Sequence, residues 1–269
     1  MLLAFFGLTF AASWLLWAGA LTVLSSAEGG GASSAFAQAV FLLGVFAPGL
    51  TALGLTYHEG GTSGVKRLLA RIIKAQVELR WYLFALAFMP LTKLVVALLH
   101  RLVLGEWPVF GPTPWYLMAG AILISTWTQA GEEVGWRGYA LKHLTDRFGL
   151  APASLILGVM WALWHLPLFF VPAADTYGQS FPMYLAQVTA LTVAMAWLYW
   201  RTQGSLLLVM ILHASVNNTK DIVPSAAAGA SDVLSLGGSP VGWLTVLVLW
   251  VSVAPLLIRM RSVRNWPER

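Results

Sequence analysis

The residues able to do chemistry in this chain stand where charge is costly. Glu132 and Glu133 are adjacent within an apolar stretch and are followed by Arg137; His165 closes the run Trp161-Ala-Leu-Trp-His; His213 precedes Asn217 by four residues. An ionised group near a bilayer centre costs roughly 2.5–3.5 kcal/mol on insertion scales, so such groups face protein and have partners. On a helix, Glu133 and Arg137 share a face and can pair. Glu132 points ~100° away, so that pair accounts for Glu133 and leaves Glu132 without a partner. His213 and Asn217 also share a face.

Hydrolysis of an amide without a serine or cysteine nucleophile needs an activated water and donors for the tetrahedral oxyanion. Glu132 is the candidate general base. His165 is placed to orient the water or share its proton, and His213 and Asn217 are candidate oxyanion donors. Glu133, Arg137 and Trp161 are supporting residues. A zinc version would use Glu132, His165 and His213 as ligands with a fourth position for water. The His-Glu-x-x-His motif is absent, and residue types alone leave the metal and metal-free versions both open.

The elements that carry these residues must be membrane helices. The 269 residues are 58% hydrophobic and 10% charged, against about 25% charged in soluble domains. Eight apolar runs approach the ~20 residues needed to cross a bilayer: about 2–24, 36–57, 81–100, 115–141, 151–171, 181–200, 205–222 and 240–258. The expected fold is an all-α polytopic bundle of about eight transmembrane helices. The first run lacks a basic leader segment and is longer than a signal-peptide core, so it reads as a retained helix. Between the second and third runs, Val65, Leu68, Leu69, Ile72, Ile73 and Val77 recur at helical spacing, with Lys66, Arg67, Arg71 and Lys74 largely opposite. This predicts an amphipathic helix on the membrane surface.

Connectors after the even-numbered runs, with the C-terminal tail to Arg269, hold twelve Lys and Arg; the opposite connectors hold Arg101 and Lys220. The positive-inside rule places the basic connectors and both termini in the cytoplasm. The net charge of +5 therefore reports topology and not a nucleic-acid partner. The absence of cysteine excludes disulfides, thiolate metal sites and cysteine nucleophiles. Three regions follow: residues 1–114 with three helices and the surface helix, a catalytic core at 115–222, and a last helix with a basic tail at 223–269.

Glu132-Glu133-Val-Gly-Trp-Arg137, Trp161-Ala-Leu-Trp-His165 and His213-Ala-Ser-Val-Asn217 together resemble the three motifs of the CAAX protease and bacteriocin-processing family, Glu-Glu-x-x-x-Arg, Phe-x-x-x-His and His-x-x-x-Asn/Asp. The resemblance spans roughly 115–222, with Trp161 in place of Phe as its departure. It implies an intramembrane endopeptidase related to the Ras-converting enzyme, a cavity open to the cytoplasm, and Glu132, His165, His213 and Asn217 as catalytic residues. The family is called a metalloprotease, and a metal-free glutamate mechanism has also been argued for it. The expected substrate is a peptide or membrane-protein segment, prenylated or bacteriocin-like. Short loops and an Ala/Gly/Trp-rich composition suggest a bacterial plasma membrane. The competing readings are a non-proteolytic immunity or scaffold protein on the same fold, and a proton-coupled transporter.

Overall fold

A computed structural model of the chain describes residues 1–26, 31–171, 174–225, 232–237 and 239–266. Arg269, counted in the basic tail, lies outside them. The helices are α1 (Leu2–Ser26), α2 (Gly31–Ala70), α3 (Leu79–Leu104), α4 (Trp115–Ser125), α5 (Ala130–Glu133), α6 (Leu141–Phe148), α7 (Leu150–Trp164), α8 (Phe181–Arg201), α9 (Leu206–Thr219) and α10 (Pro240–Met260), with a π-helical segment Val134–Ala140 between α5 and α6. Among the described residues six helices are long and apolar enough to cross a membrane, with Trp115–Ser125 as a shorter apolar helix. The chain is an integral, multi-pass membrane protein.

Two of the eight expected runs take a different form. The fourth is not one long helix: α4, at 11 residues, rises only about 16 Å. It stops because the next side chains bond back onto its last carbonyls. Thr126 Oγ1 donates to Ile122 O at 2.7 Å, Thr128 Oγ1 to Ser125 O at 2.7 Å, and Gln129 Nε2 to Ser125 O at 3.2 Å, satisfying groups that would otherwise be stranded at a helix end in lipid. The seventh run is a 14-residue helix, about 21 Å long, that tightens into a 3₁₀ turn over Lys220–Ile222. Its start is capped by Ser205, whose Oγ accepts from Leu208 N.

The amphipathic segment is the continuation of α2 beyond a break at Gly61, whose φ of 58° lies in the region that favours glycine. Leu68 turns onto the core while Leu69 and Ile73 stay exposed, as residues addressing lipid would.

Helix directions give the bundle two distinct ends. The basic end gathers Arg71, Lys74, Arg147, Arg201, Arg261 and Arg264 and is tied together by Ser205 Oγ donating to Lys74 O at 2.6 Å, Arg71 to the Tyr199 hydroxyl at 2.9 Å, and Trp266 N–H to Asp146 at 2.9 Å. At the opposite end Gly111 N–H donates to Ile222 O at 3.1 Å, Phe181 N–H to Val233 O at 2.8 Å, and Lys220 pairs with Asp175 at 3.0 Å.

The segment carrying the glutamates is held by close backbone packing against α2. A Cβ on Gly49 would stand 2.7 Å from the Gly131 carbonyl oxygen, and one on Gly135 would stand 2.5 Å from the Pro48 carbonyl carbon. Only glycine permits that approach.

Candidate active site

Six of the seven sequence-predicted site residues form one contiguous cluster; Asn217 stands apart. Arg137, on the π-helical segment, donates from one guanidinium nitrogen to both Glu133 oxygens, at 2.8 and 3.1 Å, and both side chains are fully buried. His213, from α9, places Nδ1 2.7 Å from Glu133 Oε1. Glu132 turns to α7, where the indole N–H of Trp161 donates to Oε2 at 2.8 Å. Glu132, which the Glu133–Arg137 pair leaves out, thus takes its partner from a different helix.

Trp161 is the hub of the cluster. Besides binding Glu132, its ring lies under the Arg137 guanidinium at 4.3 Å and meets the His213 ring edge-on at 5.2 Å. Its backbone carbonyl is 2.9 Å from His165 Nδ1. Tryptophan stands here where the resembled motif has phenylalanine, an aromatic-for-aromatic change. Its consequence here is the indole N–H donated to Glu132, which phenylalanine lacks.

The hydrogen bonds fix what each imidazole can offer. A carbonyl only accepts, so His165 carries its proton on Nδ1 and, when neutral, presents Nε2 as an acceptor. His213 faces an acceptor in the same way through Nδ1. A donor role for its Nε2 therefore needs the doubly protonated ring, whose charge Glu133 faces directly.

Asn217 is exposed and makes no hydrogen bond among the described residues; it lies one turn beyond His213. On its stripe of α9, Leu206 and Met210 are fully buried and His213 is 4% exposed, whereas Asn217 is open. Glu132 is 8% exposed and His165 is half-buried. Accessibility thus rises along α9 towards the end opposite the basic one. On the basic side Gly138, Leu68 and Leu206 close the bundle; a Cβ on Gly138 would meet the two leucine side chains at 2.8 and 3.4 Å.

Two residues at the site escaped the sequence reading. Thr192 Oγ1, on α8, accepts from Arg137 at 3.4 Å, and the Tyr184 ring meets His165 at 5.6 Å. A threonine and a tyrosine in an apolar run carry no mark of this in sequence. Lys93 is buried and donates to Ser225 and Thr245 at 2.5 and 3.3 Å, away from the cluster.

Among the described residues no three His, Asp or Glu side chains converge closely enough to hold a metal ion.

The fold and cluster define a polytopic helical membrane protein with a buried Glu–Arg–His network exposed at one end. Residues 112–219 match the family model described as Type II CAAX prenyl endopeptidase Rce1-like. A 98-residue stretch is 31% identical to CAAX prenyl protease 2 of Methanococcus maripaludis, covering 34% of this chain and 36% of that relative. The match thus spans about a third of the relative's length.

Proposed function

We propose that this chain is an intramembrane endopeptidase in which Glu132 activates water. One observation carries the reading: of two adjacent carboxylates, Glu133 is fully engaged by Arg137 and His213, whereas Glu132 is held by a single indole N–H and retains acceptor capacity at the accessible edge of the cluster. A carboxylate offers about four lone-pair sites over its two oxygens, so Glu132 can bind water while Trp161 holds it in place.

In the step proposed, Glu132 takes one proton as the water oxygen bonds to the scissile carbonyl carbon. His165 Nε2 accepts the water's other hydrogen and aims its lone pair. The carbonyl electron pair moves onto oxygen, towards the Asn217 amide and the protonated Nε2 of His213. Collapse breaks the C–N bond, and the proton held on Glu132 passes to the departing nitrogen, leaving a carboxylic acid and a free amine. General-base catalysis contributes about 10²–10⁴-fold, and a single oxyanion donor about 2.7–4 kcal/mol.

Two expectations part over sidedness. Charge asymmetry puts the basic end in the cytoplasm, and the family resemblance puts cleavage there too. The accessible edge of the cluster and the basic end lie at opposite ends of α9, so only one of the two can hold. We take the charge asymmetry, twelve basic residues against two, as the stronger physical constraint. Cleavage then falls towards the outer face, and the substrate is a peptide or membrane-protein segment presented from that side. The reading is tested with purified protein and a membrane-peptide library, with and without chelator. Products with new free termini, formed equally with chelator, support the metal-free mechanism; no cleavage of any member would sink the proposal.

A further inference from the structure

The basic end holds a second site that the hydrolytic cluster does not use. A cavity of about 940 Å³ lies between the extension of α2, the start of α3 and the end of α8, and its cationic lining is Arg67, Arg71, Lys74 and Arg201. Its one carboxylate, Glu78, is bound by Arg80 at 2.6 Å. Four cations thus share one opening without an anion of their own.

Their spare donors point to a ligand. Arg71 uses one nitrogen on the Tyr199 hydroxyl at 2.9 Å, and Lys74 one donor on the Gln203 carbonyl at 2.8 Å. Arg201 stacks within 5.4–5.5 Å of Trp81, Trp197 and Trp200, which occupies the guanidinium face and leaves its N–H edge for an acceptor. A guanidinium presents five donors and an ammonium three, so most of this capacity is unspent. Lys74 is held below the ordinary lysine range, first by burial and then by the Arg71 charge beside it, a crowding that a bound anion relieves.

We infer that this cavity binds a phosphate-bearing anion at the level of the lipid headgroups. Basic pockets between transmembrane helices on the positively charged side suit anionic headgroups. The tryptophans and the exposed Leu69 and Ile73 supply an apolar border where acyl chains would begin.

The test uses the full chain in nanodiscs. Thermal stability is measured in phosphatidylcholine alone, with added phosphatidylglycerol, and with inorganic phosphate in phosphatidylcholine. The cavity variant is Lys74→Gln with Arg201→Gln. The control is Arg259→Gln with Arg261→Gln, which removes equal charge from exposed positions outside the cavity. The wild type is expected to show a saturable rise in Tm with phosphatidylglycerol. At about 1 kcal/mol per basic residue near a membrane surface, the cavity variant should need about 30-fold more lipid, while the control responds like the wild type. A rise with inorganic phosphate alone would assign the site to a soluble phosphate compound. No response to either probe, or equal loss in the control, would overturn the proposal.

Discussion

The indole N–H of Trp161 donates to Glu132 Oε2 across 2.8 Å, while the carbonyl of the same residue accepts from His165. One residue of α7 therefore sets both the carboxylate and the imidazole that face the accessible side of the cluster. Trp161→Phe restores the family's motif residue and keeps a ring under Arg137 but removes the N–H. Hydrogen bonds to charged groups contribute about 1.5–3 kcal/mol, so kcat should fall about 10–100-fold with KM little changed. In a Glu132→Gln background the same substitution should add little, because the charge it positions is gone; steady-state kinetics on the four proteins check this.

The adjacent glutamates should separate in their effects. Glu132→Gln is expected to abolish turnover and leave thermal unfolding close to wild type. Glu133→Gln leaves the fully buried Arg137 without its counter-charge, a loss of about 3–5 kcal/mol. Parallel melting and cleavage assays show whether the two variants differ in this way.

Asn217 is exposed and unbonded among the described residues, so Asn217→Ala should change stability by less than about 0.5 kcal/mol. As the loss of one oxyanion donor it should lower kcat about 10²–10³-fold. A rate within threefold of wild type would remove Asn217 from the site.

Much of this was legible in the sequence because charged groups in an apolar run have few places to go. Glu133 with Arg137 follows from helical spacing, and the spans follow from composition. The break after Ser125 was not legible: threonine and glutamine either continue a helix or bond back onto it, and tertiary packing decides. The bond from Trp161 to Glu132 joins residues 29 apart on different helices, which no local pattern encodes. The direction in which the site opens emerged only from the exposure gradient along α9.

Close packing of α2 on the glutamate segment gives a stability prediction. Gly135→Ala would push a methyl against the Pro48 backbone at 2.5 Å, and overpacking of this kind costs about 1–3 kcal/mol. The variant should melt lower and lose activity in proportion as Glu132 is displaced.

Sidedness is open to direct labelling, since the chain has no cysteine. Asp175→Cys at the accessible end should react with a membrane-impermeant maleimide in intact cells, and Ser262→Cys at the basic end should not. The reverse pattern would place the mouth of the site in the cytoplasm, as the family resemblance implies.

The most direct test of the mechanism follows the water. Purified protein in nanodiscs is given a cleavable membrane peptide in H₂¹⁸O, and the new C-terminal carboxyl group is weighed by mass spectrometry. The account predicts one ¹⁸O per cleavage with the wild type and no product with Glu132→Gln. Cleavage by Glu132→Gln at the wild-type rate would contradict it.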